Sequence, residues 1–128
     1  MATVTYQTII DGSRDTIIKV NIDGATDLNK TVIFDPANYV NPTIHNKIMR
    51  VDYAFDGFSG ELFWDATAAV PILTIPKDFG GKAKFYEWIG GLTNNGGAGQ
   101  TGKILLSTAG AGATTSGYLI IFIKKKRK

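Results

Sequence analysis

Hydrophobic residues recur along this chain with a period of two far more often than with a period of 3.6, and β-branched residues are frequent. A period of two is typical of β-strands that bury one face and expose the other. The clearest example is residues 46–56. The side chains of this segment predicted to face the core are Met49, Val51, Tyr53 and Phe55. Those predicted to face solvent are Arg50, Asp52 and Asp56.

The same pattern predicts eight or nine strands along the chain. They cover residues 3–10, 15–22, 31–35, 46–56, 60–65, 70–75, 82–88, 103–108 and 117–124. Turn dipeptides such as Asp56-Gly57 and Asn95-Gly96 separate them, and Asp11-Gly12 predicts an opening hairpin over residues 3–22. No segment carries a capped helical stripe over three turns, and residues 35–39 predict at most a single helical turn.

Strands of this length and spacing predict an all-β protein, folded as a two-sheet β-sandwich. A jelly-roll-like arrangement is slightly preferred to an immunoglobulin-like one. We expect one domain over residues 1–123 and a basic tail over residues 124–128. The run from Tyr118 to Ile123 is apolar without alternation, which predicts a strand covered on both faces, central in a sheet or against a neighbouring subunit.

The charge of the chain is divided unevenly. The formal net charge is +3, but Lys124, Lys125, Lys126, Arg127 and Lys128 contribute five positive charges. Residues 1–123 therefore carry nine basic and eleven acidic side chains, a formal −2. The tail is similar to a nuclear-localisation signal or a nucleic-acid arm, so a weak anionic partner is expected for it, whether DNA, RNA or an acidic protein surface. A solvated end that blunts edge-to-edge strand pairing is the alternative.

Several classes of protein are disfavoured by composition. The chain has no cysteine, so neither a disulfide framework nor a thiolate metal site is possible. Its N-terminal residues lack a signal-peptide pattern, and its longest apolar run has six residues against the roughly 20 that span a bilayer, so no membrane association is expected.

The stretch GGLTNNGGAGQTGK at residues 90–103 matches the letters of two phosphate-binding patterns, the P-loop and the dinucleotide-binding pattern G-x-G-x-x-G. Gly97, Gly102 and Lys103 match a P-loop, but Ile104 stands where a P-loop needs a hydroxyl for Mg²⁺. Both patterns also require a following helix, whereas residues 103–108 predict a strand. We expect a glycine-dependent surface loop of ordered irregular structure, without a bound nucleotide.

Catalytic groups are scarce, and we expect neither an enzyme nor a cofactor. His45 is the single histidine and enters a predicted strand with no nucleophile elbow in the chain. Zinc is disfavoured with one histidine and no cysteine. Asp11, Asp15, Asp23 and Asp27 lack the alternating spacing of a calcium loop and are better explained as turn residues.

Aromatic side chains adjoin carboxylates at Phe63-Trp64-Asp65 and Tyr86-Glu87-Trp88. Such pairs occur in sugar-binding sites, where rings stack on pyranose faces and acids hold hydroxyls. Alternating strands place neighbours on opposite faces, so the same pairs also describe any half-buried strand. Core packing is favoured, and a carbohydrate-binding module using Trp64, Trp88 and Tyr86 stays open.

Three stretches together resemble a family of small virion proteins of tailed bacteriophages. They are TIIDGSR at residues 8–14, LFWDATA at 62–68 and GGLTNNGGAG at 90–99, within a similarity running from Val4 to Ile123. The resemblance implies an all-β structural protein, with decoration of the capsid shell as one role and the neck or tail as another, and it implies no catalytic residues.

That resemblance also implies a location and partners. We expect a protein of the virion, assembled in the host cytoplasm, that bridges major capsid protein subunits or other virion proteins. A homo-oligomer is expected too, because association covers exposed strand edges. Aromatic residues dominate the energetics of interfaces. The interface candidates are therefore Trp64, Trp88, Tyr86 and Phe122.

Overall fold

A computed structural model of the chain describes residues 3–12, 14–24, 27–39, 46–78, 80–84, 92–93, 98–110 and 115–125. The all-β prediction is confirmed, since these residues form strands and a single 3-10 turn at Pro36–Asn38. The strands are β1 (Thr3–Asp11), β2 (Asp15–Gly24), β3 (Thr31–Phe34), β4 (Asn46–Asp56), β5 (Ser59–Trp64), β6 (Val70–Ile75), β7 (Gly80–Ala83), β8 (Leu92–Thr93), β9 (Ile104–Ala109) and β10 (Thr115–Lys125). Nine have at least four residues, and β8 has two.

The strands form two antiparallel sheets. Sheet A has the order β1-β2-β10-β4-β7, and β8 also pairs with β4. Sheet B has the order β3-β9-β5-β6. The sheets enclose one apolar core between them, as the sequence pattern predicts for a sandwich.

The order of pairing identifies a jelly roll. The innermost hairpin is β5 with β6, and β4 with β7, β3 with β9, and β2 with β10 enclose it successively. Successive pairs lie in alternate sheets. This is the pattern produced when one long antiparallel hairpin is rolled into two sheets, and it confirms the jelly-roll prediction over the immunoglobulin-like one.

The opening hairpin forms as predicted, with β1 antiparallel to β2 and the Gly12 N–H donating to the Asp15 carbonyl at 2.8 Å. The pairing shifts between Thr8 and Ile10, so Ile9 is an extra residue in a β-bulge. Consequently the strict alternation of β1 is broken over its last three residues.

A second bulge corrects the predicted core face of β4. Phe122 pairs with Arg50 and Ile123 pairs with Ile48, which leaves Met49 as the extra residue. The buried side chains of this strand therefore include Ile48, Val51 and Phe55, whereas Met49 is half-buried. Alternation alone predicts that Met49 faces the core. The bulge reverses the face of every residue before it, so this prediction is wrong.

Two segments depart from the predicted boundaries. The strand expected over residues 82–88 begins earlier, at Gly80, because Gly80 and Gly81 pair with β4 instead of forming a turn. This strand, β7, is described as far as Ala83, and residues 85–88 of the predicted strand lie outside the described part of the chain. The glycine-rich stretch contains β8, whose two residues pair with Lys47 and Ile48, so it is not irregular throughout. A strand, β9, follows Lys103 as predicted, and no helix begins there.

The last strand continues into the basic segment. Lys124 pairs with Asp15 and Lys47, and Lys125 pairs with Asn46. The backbone of the first two basic residues therefore belongs to sheet A. Residues 126–128 lie outside the described part of the chain. In the part that is described, no helix is long and apolar enough to cross a membrane.

Candidate interaction surface

The solvent-facing side of sheet A is formed around its central strand, β10. Leu119, Ile121 and Ile123 point into the core and are at most 1% exposed. The alternate residues Tyr118, Ile120 and Phe122 face outward, and 38% of Tyr118 is exposed. The register places Ile17 of β2 beside Phe122. We call Ile17, Tyr118, Ile120 and Phe122 the outer stripe; each is half-buried or exposed, which is unusual for apolar residues on a solvated sheet face.

A charged residue lies beside the aromatic ring at each end of the outer stripe. Arg50 donates two hydrogen bonds to Asp52, from Nε to Oδ1 at 2.6 Å and from Nη2 to Oδ2 at 3.0 Å. Its guanidinium lies 5.2 Å from the centre of the Phe122 ring. The bidentate pair fixes the plane of the guanidinium, so Phe122 is presented at a defined position. At the other end, the Lys19 ammonium lies 5.5 Å from the centre of the Tyr118 ring.

A groove of about 540 Å³ crosses sheet A beyond Tyr118. Its lining residues come from β1, β2, β4 and β10 and are Thr5, Asn21, Asp23, Ala54, Phe55, Asp56, Ser116, Gly117 and Tyr118. The register aligns Asp23, Ser116 and Asp56 in one row across three strands. The groove therefore combines one exposed aromatic ring with carboxylate, amide and hydroxyl groups.

Trp64 is not available as an interface residue. It lies on β5 with no exposed surface, packed in the core between the sheets. Its indole N–H has no acceptor within the described residues. The inward position follows from the alternation Gly60, Leu62 and Trp64, which are all buried. This interface candidate is therefore wrong as a surface contact.

The other predicted site residues are placed differently. Phe122 does lie on the outer face of sheet A, and Lys124 is exposed. The other candidate residues lie outside the part of the chain whose side chains are described, namely Tyr86, Trp88, His45 and Lys125 through Lys128. Tyr118, Ile17 and Arg50 were not singled out from the sequence. The unalternating run at residues 118–123 was the signal for Tyr118, but only strand pairing brings Ile17 and Arg50 beside it.

Two tyrosines close the side of the sandwich at β1 and β3. The Tyr6 hydroxyl donates to the Val32 carbonyl at 3.1 Å, joining the two sheets. Tyr39 stacks on Phe34 with ring centres 5.1 Å apart, and it hydrogen-bonds Thr8. Burial raises the pKa of both Tyr6 and Tyr39 above the ordinary value. Neither tyrosine is thereby suited to act as a base near neutral pH.

The second half of the glycine-rich stretch is held to residues 65–67 by backbone and side-chain hydrogen bonds. Thr67 donates to the Ala98 carbonyl at 3.0 Å, and the Thr101 hydroxyl donates to Asp65 at 2.8 Å. Gly99 and Gly102 have φ angles of 76° and 79°, a backbone conformation that favours glycine. These glycines therefore have a structural explanation. Among the described residues, no group of three or more His, Cys, Asp or Glu is placed to hold a metal ion.

Comparison with known proteins identifies no family for this chain. No family model matches the chain, and no curated protein matches it. Among solved structures, the chain is similar to an RmlC-like cupin protein from Desulfovibrio desulfuricans, with 9% identity and a TM-score of 0.34. That alignment covers 92% of this chain and 80% of the other. A likeness of this size has no bearing on activity or ligand.

Proposed function

We propose that this protein is a structural protein of a tailed-bacteriophage virion, and that it decorates the capsid by bridging neighbouring capsid subunits. The observation that carries the proposal is the outer stripe, because four apolar side chains on one sheet face remain accessible after the domain has folded. Burying such a surface against a partner stabilises the complex in proportion to the apolar area removed from water.

The paired charges on the outer face suit the same role. Arg50 is held by Asp52 and lies over Phe122, so the ring and the guanidinium form one preorganised contact. Aromatic residues and arginine are enriched at the energetic centres of interfaces. A partner that covers Phe122 meets a side chain whose position is already restricted, which lowers the entropic cost of association.

The sequence resemblance supplies the biological setting of this proposal. Its first stretch, residues 8–14, begins in β1, and its second, residues 62–68, covers the end of β5 and the segment after it. Jelly rolls also occur in viral capsid domains, which is an analogy of fold and not a demonstration of function. The protein would be assembled with the particle in the host cytoplasm.

Mass spectrometry of purified virions tests this assignment. Hundreds of copies per particle would support a shell protein, and a few to a dozen would support the alternative of a neck or tail component. Absence from the virion would overturn both roles. Ile120→Lys should abolish incorporation, because it places a charge in the outer stripe. The control Thr74→Lys, on an exposed position of sheet B, should be incorporated normally.

A second candidate function, carbohydrate binding, is favoured by the groove beyond Tyr118. Sugar sites combine an aromatic ring that stacks on the pyranose with carboxylate and amide groups that bind hydroxyls. Tyr118, Asp23, Asp56 and Asn21 all line the groove and supply those groups. Tyr118 replaces Trp64 in this hypothesis, since Trp64 is buried.

Glycan-array binding separates the two functions. Binding that Tyr118→Ala abolishes, and that Phe122→Ala leaves unchanged, would assign the groove to carbohydrate. Silence of the folded wild-type protein across a broad array would remove carbohydrate binding and leave assembly alone. The matched pair is informative because both rings lie on the same strand and the same face, and only Tyr118 lines the groove.

A further inference from the structure

The open edge of sheet A is β1, a strand of nine residues. Among the described strands it pairs only with β2, so half of its backbone N–H and C=O groups point away from the sheet. Exposed large apolar residues concentrate there: Tyr6 is 51% exposed, Ile9 47% and Ile10 49%. Val32, 39% exposed, lies on β3, the neighbouring edge of sheet B.

The opposite edges of the sandwich are protected and β1 is not. There β7 has four residues that include two glycines and Lys82, and β6 carries an exposed Pro71. Short strands, lysine and proline all discourage pairing with another chain. From Thr3 to Asp11 the sequence TVTYQTIID contains no proline, glycine or basic residue. In this strand the pairing is interrupted by the bulge at Ile9, which leaves both isoleucine side chains exposed, and Thr8 is hydrogen-bonded to Tyr39.

We propose that β1 pairs antiparallel with β1 of a second copy of this chain, which joins the two sheets A into one continuous sheet. The contact is isologous, because the same strand lies on both sides of a two-fold axis. A second copy fits this edge by charge, since residues 3–10 bear no charged side chain and self-pairing sets no like charges against each other. The Tyr6 hydroxyl, bonded to Val32, fixes the ring at this edge.

This dimer is independent of the proposed function. It uses the backbone edge of β1, whereas the outer stripe belongs to β2 and β10. A failure of virion incorporation would therefore not contradict the dimer, and a monomeric protein would not contradict a role in the virion.

Cysteine crosslinking of the full-length chain tests the proposal, because the natural sequence contains no cysteine. In an antiparallel pair, residues directly opposite have Cα atoms about 4.5 to 5.5 Å apart, which lies within the range of a disulfide. Single variants from Thr5→Cys to Thr8→Cys, alone and in pairwise mixtures, should yield a disulfide dimer in one register. The control Lys77→Cys, exposed after β6, should not crosslink at the same protein concentration.

Sedimentation equilibrium supplies the second measurement. Combined Ile9→Lys and Ile10→Lys should weaken self-association by about tenfold or more, and Ile120→Lys on the outer stripe should leave it unchanged. Circular dichroism checks that each variant folds. A wild-type protein that stays monomeric from about 1 μM to about 1 mM would overturn the proposal. So would a dimer that is lost in Ile120→Lys and that no β1 cysteine can crosslink.

Discussion

The two faces of β10 carry similar side chains in opposite environments. Leu119, Ile121 and Ile123 on the inner face are buried against sheet B, whereas Tyr118, Ile120 and Phe122 on the outer face keep contact with solvent. The inner residues gain their stabilisation once, when the domain folds. The outer residues keep apolar area in contact with water after folding, and that area is still available for association.

The difference shows that one run of hydrophobic residues on a single strand can both pack in the core and present apolar area to solvent. Alternation of side chains places the residues that pack in the core and the residues that face solvent on opposite sides of β10, since neighbouring positions do not share a face. Mutations only one residue apart therefore change either the core or the exposed face.

The largest expected effect comes from the matched pair Ile121→Ala and Ile120→Ala. Ile121 is 0% exposed, and its truncation leaves a cavity in the core, which should lower the free energy of unfolding by about 3 kcal/mol. Ile120 faces outward and should cost roughly 1 kcal/mol. Urea titration followed by tryptophan fluorescence measures both. Equal losses in the free energy of unfolding would contradict the assignment of Ile121 to the core and Ile120 to the outer face.

Gly117→Ala should destabilise the domain by about 2 kcal/mol by overfilling the inner face. A Cβ at this position would lie 2.6 Å from Phe55 Cδ1 and 2.9 Å from the Ala54 carbonyl oxygen, so the stacked Phe55 and Phe58 rings must shift. Gly12→Ala is the control, because its nearest contact is at 3.5 Å. Thermal unfolding of the two variants measures the effect, and a neutral Gly117→Ala would show that the inner face is loosely packed there.

Phe122→Ala should lower stability by about 1 kcal/mol. If the proposed function is right, it should also remove binding to the capsid shell. The ring is half-buried and lies under the Arg50 guanidinium, so its loss removes both apolar area and a cation-π contact. Phe122→Leu keeps the apolar area alone and should retain part of the binding. Cosedimentation with particles lacking this protein measures the binding. Full binding by Phe122→Ala would remove the outer face from the proposed function.

The smallest effect concerns the basic end of β10. Removing residues 126–128 should change stability by less than about 0.5 kcal/mol. Removing residues 124–128 should cost about 1 kcal/mol, since Lys124 and Lys125 pair with β2 and β4. The longer deletion also shifts the formal net charge from +3 to −2 and should reduce retention on a heparin column in a salt-dependent way. Identical unfolding curves for the two deletions would place the whole basic segment outside the fold.

Sequence periodicity predicted most strands within a few residues, along with the jelly-roll preference and the central place of β10. It missed the bulges at Ile9 and Met49, because a bulge is created by the pairing of two strands and leaves no mark in the alternation of one. It favoured core packing for Trp64 but also kept this residue as an interface candidate, which its burial contradicts. Which face of β5 points inward depends on the second sheet, and a local window does not contain that information.

By itself, the sequence determined the strand-rich character of the chain, the position of the opening turn, and the double-sided apolar run at residues 118–123, because these follow from the side-chain period and local turn chemistry. Only the tertiary structure decided which residues share the outer face. Ile17, Arg50 and Phe122 come from three strands far apart in the chain, and they meet because nested antiparallel pairing places β2 and β4 on either side of β10. The open edge at β1 is decided in the same way, since an edge is defined by the strand that is absent beside it.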